Sequence, residues 1–135
     1  MADLPAGVAD THALIFHAAG GRGLGRRAAR HFDACERRHA LVYVPAIVMW
    51  ECSLLARIGR IDLGRSVRAF FDDLFSNPAY QPLGLTQEQV MLAGEHRPTS
   101  DPFDALICAA ALSLELPLIT RDAAIARSCL VKVIW

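Results

Sequence analysis

Short apolar stretches of strand character alternate with stretches of helical period along the whole chain, and no hairpin turn joins any two of the apolar ones. Val8-Ala9 (a short, poorly formed strand), Leu41 to Val44, Pro82 to Leu85, Leu118 to Thr120 and Val131 to Ile134 read as strands. Helices are predicted over Thr11 to about Ala19, about Leu24 to Arg38, Ile47 to Ile58 and Leu63 to Phe75. Three more follow: one opened by Thr86 with Gln89 in a capping-box pattern and ending near Gly94, one from Asp101-Pro102 to about Leu114, and a last small one. Strands that alternate with helices cannot pair as hairpins, so the expected fold is α/β, with a mostly parallel central sheet of about four to five short strands and helices on both faces. The 135 residues, 53% of them hydrophobic, carry no internal repeat and no linker that would divide two cores, so one domain spans 1–135.

The same composition excludes several classes. Ala105 to Leu114, the longest uncharged run of the most apolar region, is about half a membrane span. The start, MADLPAGVAD, has neither a basic nor an apolar leader region, which makes the cytoplasm the expected location. Cys35, Cys52, Cys108 and Cys129 are far apart, and three stand in apolar helical contexts, so buried reduced thiols are expected rather than zinc ligands or disulfides. Net charge is zero, yet Arg22 to Arg68 holds ten arginines and four acids whereas Asp72 to Asp122 holds two arginines and eight acids. The helix from about Leu24 carries Arg26, Arg27 and Arg30, either a solvated basic face or a track for a phosphate backbone.

In an open parallel sheet, ligands sit beyond the carboxyl ends of the strands. Asp10 directly follows Val8-Ala9, Asp122 comes two residues after Thr120, and Asp104 lies in the first turn of the helix opened by Asp101-Pro102. Each also has a plain role in capping a helix. Glu51 is different. Its neighbours at three and four residues' distance are Ile47, Val48, Leu54 and Leu55, so its carboxylate is expected to face inward from an apolar stripe, where it needs a cation or a proton. Four such acids gathered together repel by about 3 kcal/mol per pair at roughly 5 Å and an effective dielectric near 20. Hard oxygen donors without histidine or thiolate spacing point to magnesium or manganese, and the five histidines read as surface or loop residues. A carboxylate cluster holding such a metal on an α/β sheet points to phosphodiester hydrolysis.

At these residues the sequence resembles the PIN-domain ribonucleases, and among them the toxins of VapBC-type toxin-antitoxin systems. Val8 to Phe16 (VADTHALIF), Val44 to Leu63 (VPAIVMWECSLLARIGRIDL), His96 to Leu112 (HRPTSDPFDALICAAAL) and Leu118 to Asp122 (LITRD) match the family's four motifs in order, over essentially the whole chain. The resemblance implies a PIN-like fold and a Mg2+- or Mn2+-dependent endoribonuclease. Asp10, Glu51, Asp104 and Asp122 fall on its four acidic positions, with Asp10 and Asp104 as direct ligands and Glu51 and Asp122 completing the pocket. Asp101 matches an additional acid of the D-P-F-D subset, and Thr11 and Thr120 fall where the family often carries a hydroxyl that orients a carboxylate or water, helix capping being the alternative for Thr11. The implied partners are an RNA substrate, a cognate antitoxin docking on the helices from Ile47 to Phe75, and a second copy in a homodimer. A receiver-like or phosphatase-like reading fits poorly, since Asp10 is followed by Thr11 and His12 rather than by a second acid. A non-catalytic RNA-binding or complex-forming module of the same fold is the remaining alternative.

Overall fold

The computed structural model describes residues 3–135. Five strands form one all-parallel sheet: β1 (Ala6–Ala9), β2 (Leu41–Pro45), β3 (Tyr80–Leu83), β4 (Leu118–Ile119) and β5 (Val133–Ile134), in the spatial order β3-β2-β1-β4-β5. Seven helices connect them: α1 (Thr11–Ala18) and α2 (Arg26–Glu36) after β1, α3 (Ala46–Arg57) and α4 (Val67–Leu74) after β2, α5 (Gln87–Glu95) and α6 (Pro102–Leu114) after β3, and α7 (Ala123–Ser128) after β4. The strand order grows in one direction from β1 to β3 and then reverses to β4 and β5. Right-handed crossovers therefore carry helices to both faces. This is the α/β architecture the alternation predicts.

The differences from the sequence reading lie at element ends. β1, read from the sequence as short and poorly formed, is the central strand, beginning at Ala6 and paired on both sides, Val8 with Tyr43 and with Leu118. β3 begins at Tyr80 instead of Pro82, because the fully buried Tyr80 belongs to the core, and its proline is tolerated because β3 is an edge strand. α4 begins at Val67 rather than Leu63: Gly64 sits at φ +75 in a turn closed by its N–H on Asp62 Oδ1, and Ser66 then caps the helix at the Ala69 N–H. β5 is shortened to Val133 because the chain leaves α7 through Cys129 in the left-handed conformation.

The core is built from Val8, Val42, Val44, Leu118 and Ile119 on the strands, packed by Leu14, Phe32, Val48, Ile107 and Ile125 from the helices. Cys35, Cys52 and Cys108 are buried thiols, the last two pushed up to about 12 by burial, while Cys129 is exposed. Two histidines expected at the surface are structural instead. The His17 ring lies flat on Phe32 with centroids 4.4 Å apart, and its Nε2 stands 2.7 Å from Glu36 Oε1 and 2.9 Å from the Tyr80 hydroxyl. His31 Nε2 is 3.0 Å from the Leu41 carbonyl. The Tyr80 hydroxyl also donates to Glu36, so α1, α2 and β3 are tied at one point.

The other end of α2 is fastened by the last described residue. The Trp135 carbonyl accepts from the Arg27 and Ala28 N–H groups at 2.8 and 3.0 Å, satisfying two of the helix's free donors where Gly25 offers no capping side chain. A Cβ on Gly25 would stand 2.5 Å from that same carbonyl oxygen, so only glycine admits the contact. Gly25→Ala is therefore expected to lower stability by about 1–3 kcal/mol, as overpacking does, and to shift Trp135 fluorescence. Chemical denaturation followed by tryptophan emission measures both; an unchanged midpoint would show that the Trp135 contact is expendable.

Candidate active site

β1 is the strand at which the sheet changes direction, with β2 on one side and β4 on the other, so the crevice beyond the carboxyl ends of β1 and β4 is the topological switch point. Asp10 follows β1, and Thr120, Arg121 and Asp122 follow β4. Glu51 comes from the middle of α3, and Asp101 and Asp104 from the start of α6. Asp10, Glu51, Asp101, Asp104 and Asp122 line one cleft of about 220 Å³ together with His12 and Arg121.

Asp10 is the most enclosed of these acids, 9% exposed. It caps α1, its Oδ1 accepting from the Thr11 N–H at 2.7 Å, while Oδ2 accepts from the Thr120 hydroxyl at 2.6 Å. Burial raises its pKa above the ordinary carboxylate value; those two hydrogen bonds and the His12 ring oppose the rise, and Glu51 adds to it. Thr120 is itself buried and its hydroxyl oxygen accepts the Asp122 N–H, so one threonine sets both the Asp10 carboxylate and the turn that presents Asp122.

Thr11, fully buried, does not cap α1. Its hydroxyl donates to Glu51 Oε1 at 2.5 Å and fixes a side chain 40 residues away. Glu51 is less enclosed than its apolar neighbours predict, because Leu54 and Leu55 are themselves only half-buried and the carboxylate opens into the cleft. Asp104 accepts from the Thr99 hydroxyl at 2.7 Å. Burial raises its pKa, Thr99 opposes this, and the charges of Asp101, Asp10 and Asp122 add to the rise. Asp101 and Asp122 cap α6 and α7 through one oxygen each, Asp101 Oδ1 to the Phe103 N–H and Asp122 Oδ1 to the Ala124 and Ile125 N–H groups. The capping and clustering readings of these acids are thus both realised.

Sequence reasoning missed three residues here. His12 and Arg121 line the cleft, and Thr99 holds Asp104. The first two had a signal, since each is adjacent or next-but-one to an acid already singled out; Thr99 had only its place ahead of Asp101. Arg26, Arg27 and Arg30 are exposed on α2 and do not line the cleft.

The donor set is all oxygen apart from His12, as magnesium or manganese requires. Among the described residues no three acidic, histidine or cysteine side chains form a closed ligand cage. Among the described residues, Asp104 Oδ1, Glu51 Oε2 and Asp122 Oδ2 have no protein donor and remain available.

A parallel α/β sheet with carboxylates from four elements meeting at its switch point defines a class of α/β proteins with an acidic site at the strand ends. The PIN-domain family model matches residues 8–129, and the chain belongs to that family. Its fold is shared with VapBC2 from Rickettsia felis bound to a promoter DNA fragment (TM-score 0.69, 12% identity, 95% of this chain and 96% of that one). It is likewise similar to DNA-bound VapBC from Salmonella typhimurium (0.68, 16%, 97% of each chain) and to a toxin-antitoxin complex from Klebsiella pneumoniae (0.64, 20%, 96% of each). No curated protein matches the sequence.

The raised carboxyls carry a sign that can be measured. Asp10 and Asp104 titrate higher folded than unfolded, so the folded chain binds more protons, and metal-free stability falls as pH rises from the ordinary carboxylate range through the raised values. In EDTA at pH 7, Asp10→Asn should melt above wild type, with the gap closing below about pH 4. Adding Mg2+ should raise the wild-type Tm more than that of the variant. A variant less stable than wild type in EDTA at neutral pH would show that the Asp10 hydrogen bonds outweigh its burial.

Proposed function

We propose that this chain is a Mg2+- or Mn2+-dependent endoribonuclease that hydrolyses RNA phosphodiester bonds and acts, in the cytoplasm, as the toxin of a toxin-antitoxin pair. One observation carries the reading: Asp10, Glu51, Asp104 and Asp122, from four separate elements, open into a single cleft whose burial already penalises negative charge on Asp10 and Asp104. Such a cleft is built to receive a cation. The metal, when bound, supplies activation of water and stabilisation of charge on the phosphate and leaving oxygens. Asp10 and Asp104 are assigned as its direct ligands, with Glu51 and Asp122 completing the site. Asp101 adds charge at the rim. Thr120, Thr11 and Thr99 each hold one carboxylate in a fixed rotamer, which is the supporting role that tunes a metal site.

RNA is assigned to the exposed arginines of α2, Arg26, Arg27 and Arg30, for backbone contacts, with chemistry left to the cleft. A protein partner has a separate surface. Met49, Trp50, Val67, Phe71 and Phe75 line a groove of about 510 Å³ between α3 and α4, where Trp50 is 56% exposed. That groove is assigned to an antitoxin segment, and a homodimer is expected in addition. No helix among the described residues is long and apolar enough to cross a membrane.

Purified protein incubated with a mixed RNA pool in Mg2+ or Mn2+ should cleave it, and EDTA should abolish the cleavage. Asp10→Asn should lower the rate on the order of a hundred-fold or more, and Thr120→Val by about 10–100-fold with the fold retained. Wild type and Asp10→Asn behaving alike at saturating metal, with circular dichroism unchanged, would make the chain a non-catalytic RNA-binding or complex-forming PIN module. Replacing Arg26, Arg27 and Arg30 together by Gln should weaken RNA binding and flatten its salt dependence by about 0.7 in log–log slope per lost phosphate contact. An unchanged slope would remove α2 from the RNA path.

A further inference from the structure

Arg121 is the one permanent cation among the residues lining the acidic cleft, and it pairs with none of the five carboxylates there. Among the described residues the ion pairs are His17–Glu36 and Arg65–Asp73. An exposed arginine next in sequence to Asp122 has every electrostatic reason to close onto the acids. Instead its guanidinium carbon stands 4.9 Å from the centroid of the Phe16 ring. Phe16 is itself packed: the Trp135 ring lies with its centroid 6.4 Å away, and Gly23 is beside the phenyl ring, a Cβ there falling in ordinary van der Waals contact with it.

A guanidinium over an aromatic ring that hydrogen-bonds to none of the neighbouring carboxylates keeps N–H groups to offer, in the planar fork that matches two oxygens of one phosphate. A cation whose only task was to neutralise the acids would hydrogen-bond to them. An arginine held off them, on the rim of a cleft whose other side chains repel anions, is placed to draw in an anion that the carboxylates would otherwise reject.

We propose that Arg121 is the phosphate clamp of this cleft, taking the non-bridging oxygens of the phosphodiester, or the phosphate of the cleaved product, through its guanidinium edge. Phe16 is its positioning residue. The ligand class is thereby a phosphate ester on a nucleotide chain, and the assignment rests on the nuclease reading above.

The test is single-turnover cleavage of a fluorescent mixed-sequence RNA in saturating Mg2+, at several KCl concentrations, with each variant's fold checked by a thermal melt. Arg121→Ala should lower kcat/KM on the order of a hundred-fold and make its log–log salt dependence shallower by about 0.7. Arg121→Lys should restore the slope but not the rate, because a point charge lacks the fork. Phe16→Leu should lower the rate, and Phe16→Tyr, which keeps the ring face, should recover it. Binding is read independently by titrating adenosine 5′-monophosphate in Mg2+, which Arg121→Ala should weaken, while its calorimetric Mn2+ affinity stays at least that of wild type.

Wild-type kcat/KM and slope in Arg121→Ala would overturn the clamp, and so would loss of Mn2+ binding, which would make Arg121 an organiser of the carboxylates. If wild type itself cleaves no RNA, the nuclease reading falls, and the nucleotide titration still decides. Arg121-dependent binding would then uphold the phosphate site, and Arg121-independent binding, or none, would end it.

Discussion

The cleft depends on how one carboxylate is kept at the end of the central strand with only 9% of its surface open to water. A buried carboxylate without partners costs several kcal/mol, and Asp10 offsets part of that cost with two hydrogen bonds. Its Oδ1 satisfies the first turn of α1, where the helix end favours negative charge. Its Oδ2 takes the hydroxyl of Thr120, 110 residues later in the chain, just beyond the strand that pairs with β1. The hydrogen bond that holds the acid therefore also fastens the two strands between which the sheet changes direction. Site and fold share this contact, although the pairing of β1 with β4 rests on backbone hydrogen bonds that do not need the hydroxyl.

The other acids follow a related rule. Asp101 and Asp122 each use one oxygen to cap a helix and leave the other free. A cap fixes the carboxylate rotamer during folding, and the entropy lost there is not lost again when a cation binds. Glu51 lies mid-helix and has no backbone amide to hold it; the hydroxyl of Thr11 does so instead. Asp104, at the third position of α6, is held by Thr99 from the preceding loop. Three threonines thus do for three carboxylates what helix ends do for the other two, with Asp10 drawing on both.

This arrangement explains what was legible in the sequence. Strand and helix identities followed from periodicity, and the acids at element starts followed from the rule that parallel sheets bind at strand ends. Glu51 stood out because an acid in an apolar stripe is costly. Hydroxyl partners were harder to see: Thr99 donates across a loop that no period describes, and the direction of the Thr11 hydroxyl depends on where α3 packs. Tyr80 and His17 were misplaced for the same reason. A Pro-containing edge strand and an amphipathic histidine look peripheral until β3 and α2 close around them. Arg121 was overlooked because its place is set by Phe16, 105 residues earlier in the chain, which in turn packs on Trp135.

The distribution of charge poses a physical problem that the fold itself answers. A cleft of five carboxylates repels the polyanion assigned to it, and a chain of zero net charge offers no long-range attraction to overcome that repulsion. The positive charge lies instead on the half of the chain that precedes most of the acids, and α2 carries three of those arginines on exposed positions. Trp135 connects the two regions: its carbonyl caps the N-terminal turn of α2, and its ring packs on Phe16, which holds Arg121 at the cleft. Basic helix, aromatic pair and acidic cleft are consecutive in space. On the proposed reading, a polyanion meets the exposed arginines first and reaches the acids beside Arg121. An evenly mixed surface of the same composition would offer neither the gradient nor the pocket, so it is the segregation of charge along the sequence that would let a neutral chain bind the polyanion proposed for it.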